Sequence, residues 1–123
     1  MRKLITLSLA ALLLFPATAG ACTATKWCGK RHSAAYNKRA IREVCAKRHS
    51  DLSGLMYLAR RESHFGNLAT NGPCLGMYQL ATKQPKRKWA SPYWNTNRAI
   101  TYCRERYGSV AAAVAHSKRT GWY

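Results

Sequence analysis

Acidic side chains are what this sequence most lacks: its 123 residues hold 4 Asp and Glu against 21 Lys and Arg, for a net charge of +17. Any carboxylate in an unusual position is therefore conspicuous. So cationic a surface is drawn to polyanions, of which nucleic acid, acidic lipid and cell wall are the obvious classes. Long apolar runs are also scarce, and the stretch from Leu4 to Phe15 is too short to be a comfortable membrane span. Metal-ligand spacing is missing too. Five residues separate Cys22 from Cys28, the other cysteines are scattered and the four His do not cluster, so neither a metal nor another cofactor is implied. Neither a phosphate loop nor an internal repeat is visible.

What is present begins with a leader. Arg2 and Lys3 precede the apolar run, and Pro16 and small residues through Ala21 follow it. This is the pattern of a signal peptide over residues 1–21, and it predicts an exported protein, periplasmic or secreted. Cleavage after Ala21 makes Cys22 the new N-terminus and a candidate for lipidation, the one circumstance in which a membrane association is expected. Four further cysteines, Cys28, Cys45, Cys74 and Cys103, then suffice for two disulfides in an oxidising compartment, and three pairings are open. About 100 residues remain after the leader, enough for one modest core. They divide into a basic arm, residues 22–33, and a domain over residues 34–123.

The spacing predicts a helix from about Ala34 to His49, with Ile41, Val44 and Cys45 on a narrow apolar stripe beside a basic face that includes Lys38, Arg39, Arg42 and Lys47. Arg48 falls in line with the stripe, where its aliphatic stem can pack. Ser50 and Asp51 mark the start of a second helix, because a short polar oxygen accepts from the exposed backbone N–H groups there. That helix runs to about Glu62, with Leu52, Leu55, Met56 and Ala59 on one side. At 100° per residue Glu62 lies about 80° from Leu52 and about 20° from Leu55, so its carboxylate is expected on the buried face. A carboxyl beside apolar side chains is desolvated and its pKa rises, which lets it hold a proton near neutrality and act as a general acid. The competing expectation is an ordinary salt bridge to one of the many Arg and Lys side chains.

The stretch LARRESHFGNLATNGPCLGMYQL, Leu58 to Leu80, decides between them. Glu62-Ser63-His64-Phe65, then Ala69-Thr70-Asn71, then Gly76-Met77-Tyr78-Gln79 resembles the Glu-Ser-x-Phe, Ala-x-x and Gly-x-x-Gln signature of soluble lytic transglycosylases and goose-type lysozymes. The resemblance covers roughly Leu52 to Tyr123. It implies a mainly α, lysozyme-like (α+β) fold with a small hairpin after the catalytic helix. It also implies cleavage of the bond between N-acetylmuramic acid and N-acetylglucosamine in peptidoglycan, with Glu62 as acid and then base and a 1,6-anhydro ring as product. Ser63 would help hold Glu62 or the substrate, and Met77, Tyr78 and Gln79 would line the sugar groove; read as residues alone, Phe65 and Met77 are more often core side chains and Ser63 a partner for local backbone at the helix end. Asn71-Gly72-Pro73 supplies the turn, and Gly76 lets backbone approach a ligand closely.

Glycosidases usually use two carboxylates. Besides Glu62 the domain offers Asp51, Glu43 and Glu105. Asp51 lies about 16 Å away along the same helix, too far to be a partner, and the single-carboxylate route fits better. A basic loop spans Ala81 to Pro92, where Pro85 and Pro92 argue against a continuous helix. Trp89, Tyr93 and Trp94 offer flat surface for sugar rings or for core packing. A helix is expected from about Thr96 to Tyr107, stopped by Gly108, followed by a short Ala-rich helix, Val110 to Ser117, capped by Ser109. The end, AVAHSKRTGWY, resembles a subgroup of transglycosylase-like domains that finish with Ala-x-x-His and Gly-Trp-Tyr. It departs from the Ala-Tyr-Asn-Ala-Gly pattern, with His116 and Ser117 in place of Tyr-Asn; His116 is a candidate substitute hydrogen-bond donor at the substrate, although a lone helical His is more often structural. The rivals are a hydrolytic muramidase, a non-catalytic cationic peptidoglycan-binding protein and a nucleic-acid binder. No nucleic-acid fold motif supports the last, so the expected partner is the glycan strand, bound by a monomer.

Overall fold

The computed structural model describes residues 29–123. The expected leader, the Cys22 lipidation site and Cys28 lie outside these residues. Among the described residues the chain runs α1 (Ala34–Arg48), α2 (Leu52–Ser63), β1 (Thr70–Asn71), β2 (Cys74–Leu75), β3 (Leu80–Ala81), α3 (Lys86–Trp89), α4 (Pro92–Tyr107) and α5 (Val110–Thr120). It is mainly helical, with one three-stranded antiparallel sheet in the order β1-β2-β3.

Local chemistry sets the helix starts. The side chains of Ser33, Asp51, Ser91 and Ser109 each accept a backbone N–H of the first turn they precede, at residues Tyr36, Gly54, Trp94 and Ala112. Helix α4 begins at Pro92, earlier than the apolar spacing suggests. A proline in the first turn forfeits an N–H that has no partner there anyway, so Pro92 opens the helix behind its Ser91 cap. The expected loop before it also contains one short helix, α3. Helix α5 continues past Ser117 to Thr120 and stops at Gly121, which takes φ +85°.

Contacts join α1 to α4, α4 to α5, α5 to α2 and α2 to α1, so the four long helices surround one core. Ile41, Val44 and Cys45 face it as expected, with Leu55, Leu58 and Ala59 of α2, Ala99, Ile100 and Cys103 of α4, and Val110 and Ala113 of α5. Each fully buried Leu, Ile or Met stabilises the fold by roughly 1.5–3 kcal/mol. Leu52 is exposed, so the buried stripe of α2 uses Leu58 in its place. A Cβ on Gly54 would sit 2.8 Å from a Val110 methyl, which marks how closely α2 and α5 approach. Arg48 does more than pack its stem: its guanidinium donates to Asn97 O at 2.7 Å and Thr101 Oγ1 at 3.1 Å, fastening α1 to α4.

The β segment is anchored by two buried asparagines. Asn95 Oδ1 accepts the Tyr78 N–H at 2.8 Å while its Nδ2 donates to Trp89 O at 3.3 Å. Asn67 Nδ2 donates to Lys30 O and Ala90 O at 2.7 and 2.9 Å, and its Oδ1 accepts the His32 N–H, tying the basic arm to the body. Gly76 is needed here rather than beside a ligand. It has φ +81°, and a Cβ would fall 2.4 Å from Asn95 Nδ2.

The two-disulfide expectation is not met. Two bridges among Cys28, Cys45, Cys74 and Cys103 would have to join at least two of the last three, and all three are free thiols. Cys45 and Cys103 serve as small apolar side chains in the core, whereas Cys74 is half-buried on β2.

Candidate active site

Glu62 occupies the last turn of α2, and the chain leaves that helix abruptly because His64 and Phe65 both adopt left-handed backbone, φ 52° and 63°. The His64 N–H closes on Arg60 O at 3.0 Å and the Phe65 N–H on Ala59 O at 3.3 Å. Ser63 does not line the cleft beside Glu62. Its hydroxyl lies 2.7 Å from Met77 O, to which it donates, and accepts the Gly66 N–H at 3.1 Å, so it fastens the β segment to the end of α2.

Glu62 opens onto a cleft of about 400 Å³, within the size range of small-ligand sites. Residues 69–71, Cys74 and Gln79 wall one side of the lining, and Trp122 and Tyr123 complete it. The structure thus brings Gln79 to Glu62 as expected, but not its two neighbours. Met77 and Tyr78 are fully buried in the core, pinned there by the Ser63 and Asn95 bonds, so their side chains do not form the groove. His116 is also absent from the cleft. It lies between Tyr107, tilted at 38° with ring centroids 4.9 Å apart, and Trp122, edge-on at 76° and 4.4 Å. Trp89, Tyr93 and Trp94 are outside the cleft as well: Trp89 is buried, and the Tyr93 hydroxyl donates to Glu43 at 2.6 Å.

Trp122 and Tyr123 are the residues that sequence reasoning did not assign to the site. They reach it from the far end of the domain, about sixty positions from Glu62, and their one signal was the shared Gly-Trp-Tyr ending. Trp122 is 52% exposed, a flat apolar surface at the cleft. Tyr123 donates its hydroxyl to Tyr78 O at 2.7 Å. Burial, with smaller contributions from Cys103 and from the Glu62 charge, holds that phenol well above its usual pKa and hence neutral.

The electrostatics single out one acid. Asp51 caps α2 through the Gly54 N–H at 2.9 Å, Glu43 lies 3.9 Å from Arg39 and accepts from Tyr93, and Glu105 lies 3.8 Å from Arg98. Glu62 has no ion pair or hydrogen bond of this kind among the described residues. Burial raises its pKa above the ordinary 4.5, and the neighbouring Arg61 charge opposes the shift without cancelling it. A carboxyl with those properties in a cleft can deliver a proton and take one back.

Gln79 is built to stay put. Its backbone is left-handed at φ 51°, a conformation that non-glycine residues hold only when their surroundings impose it. Its amide donates to Ala69 O at 3.0 Å and Gly76 O at 2.8 Å, which leaves Oε1 as an acceptor without a partner among the described residues. Comparison with protein-family models, curated proteins and solved structures finds no match to this chain.

Proposed function

We propose that this chain is an exported, lysozyme-like lytic transglycosylase that cuts the glycan strands of peptidoglycan. The observation that carries this reading is Glu62: of the four carboxylate side chains it alone has no partner among the described residues while being partly desolvated and open to a cleft, and the other three are engaged in capping or pairing. A glycosidase with two catalytic carboxylates needs the pair about 5–10 Å apart. None of the other three lines the Glu62 cleft, and this supports a one-carboxylate route.

In that route the Glu62 carboxyl donates its proton to the oxygen between N-acetylmuramic acid and N-acetylglucosamine as the C–O bond to the muramyl anomeric carbon breaks. The resulting carboxylate then removes the proton of the muramyl C6 hydroxyl, whose oxygen bonds to the anomeric carbon and closes the 1,6-anhydro ring. Glu62 ends protonated, ready for the next cycle, and no water is consumed. Gln79 Oε1 is placed to accept from a sugar hydroxyl or acetamido N–H, and Trp122 offers its face to a pyranose ring.

Wall suspensions are expected to clear in the presence of the parent protein and, with Glu62→Gln, to clear slower by roughly 10²–10⁴-fold, the usual contribution of a general acid. Equal clearing by both proteins overturns the assignment of Glu62. Absence of clearing by the parent, with glycan still bound, leaves a cationic binding protein instead. Mass spectrometry separates the reaction types, since a muramidase product is heavier by one water than the anhydro product.

A further inference from the structure

We infer that the Glu62 cleft continues past Tyr123 into a second chamber that binds a carboxylate of the peptide branch carried by the glycan, an inference that rests on the function proposed above. The chamber, about 280 Å³, shares three wall residues with the cleft: Cys74, Gln79 and Tyr123. A ligand lying in one therefore abuts the other. Beyond those residues the chamber is bounded by Leu80 and Ala81 of β3 and by α4, which contributes Arg98, Tyr102 and Arg106, and no acidic side chain lines it.

Arg106 is the better-prepared of the two cations. Its guanidinium carbon lies 5.9 Å from the Tyr102 ring centre and 5.7 Å from those of Tyr107 and Trp122. Three rings thus restrain it without neutralising it. No carboxylate pairs with it within 4 Å among the described residues. Arg98 touches Glu105 at 3.8 Å with both side chains substantially exposed, a pair worth little and readily exchanged for a better partner. A planar fork held by aromatic faces beside a second arginine suits a carboxylate, which accepts two parallel N–H bonds.

Where a peptide branch is attached, the muramyl lactyl carboxyl is tied up in an amide and the sugars carry no charge, so the free carboxylates beside the glycan are those of the branch. The occupant that fits both the chamber's chemistry and its position beside the glycan cleft is therefore the branch. Trp122 links the two sites directly: it walls the cleft with Glu62 and restrains Arg106.

The test uses the full chain with Glu62→Gln, which binds without cutting, and soluble glycan oligomers with their peptides or stripped of them, the lactyl carboxyls that stripping exposes being capped as methylamides. Peptide-bearing chains are expected to bind about tenfold more tightly than stripped ones, the lower end for a hydrogen-bonded charged pair. Arg106→Met removes that advantage and leaves affinity for stripped glycan unchanged. Arg106→Lys, which keeps the charge and loses the fork, retains part of the advantage and covers the case in which the methionine variant does not fold. Equal affinity of the parent for both glycans overturns the inference alone, as does a loss in Arg106→Met that is the same for both. Failure of the parent to bind either glycan overturns the functional reading beneath it.

Discussion

The Tyr123 hydroxyl donates a 2.7 Å hydrogen bond to the carbonyl oxygen of Tyr78. The segment after α5 is thereby fastened to the buried turn that also holds Gln79, and two walls of the cleft become one unit. Tyr123→Phe leaves that carbonyl without its partner, at a cost of about 1 kcal/mol. For a domain of this size the midpoint of thermal unfolding falls by about 4–8 °C. Calorimetry checks the shift; an unchanged midpoint means that the bond contributes nothing net.

Glu62 links pH to both rate and stability. Its folded-state pKa is raised, chiefly by burial, so the folded chain binds this proton more tightly than the unfolded chain does. Stability from this group is present at low pH and declines as pH rises from near 4.5, the ordinary value, through the raised one. Glu62→Gln removes the decline. Its melting temperature should exceed that of the parent at pH 7 and converge with it near pH 4. If Glu62 is the acid of the function proposed above, cleavage falls on the alkaline side of the same transition. Parallel melting curves across pH would show that the carboxyl is solvated after all.

Asn95 is a framework residue whose loss should be felt at the site. It is buried and holds the Tyr78 N–H and the Trp89 carbonyl at once. Asn95→Ala strands both groups, and the expected loss is about 2–3 kcal/mol in urea unfolding. Because the Tyr78 bond lies next to Gln79, catalytic turnover drops well below the folding transition too. Asn95→Asp, which keeps the acceptor for the Tyr78 N–H and loses the donor to Trp89, is expected to restore part of neither property at pH 7, where a buried charge is added.

The thiols divide by location. Burial pushes Cys45 and Cys103 up to about 11, with Asp51 adding to the shift at Cys45. At pH 8 both stay protonated and shielded, whereas Cys74 lies half-buried in the cleft wall. Native titration with a disulfide reagent should lose one fast-reacting group in Cys74→Ser and none in Cys45→Ser or Cys103→Ser. Modified Cys74 narrows the cleft, so cleavage falls with the fast phase. A fast phase that survives Cys74→Ser contradicts this placement.

Helices were legible where a cap and a long apolar stripe coincided, as at Asp51 with Leu55 and Ala59, whereas Glu62, expected on the buried face, is half-buried at a cleft. The β segment was not readable in this way. Its strands are two residues each, too short to show a period, so Met77 and Tyr78 could be assigned to either face. The buried roles of Asn67 and Asn95 depend on partners 6 to 37 positions away, and polar residues carry no apolar signal. Trp122 and Tyr123 join the cleft only through the closure of α5 on α2. The start of α4 was misplaced because Pro92 was taken as a breaker where it acts as an opener.

With the other three carboxylate side chains engaged elsewhere, Glu62, the proposed proton donor, sits in a chain with a net charge of +17. Dissolved salt acts twice on such a molecule. It screens the charges that favour ionised Glu62, which eases protonation, and it weakens the surface's pull toward polyanionic material. The two influences oppose each other, so ionic strength becomes a dial with its best setting between dilute and concentrated buffer.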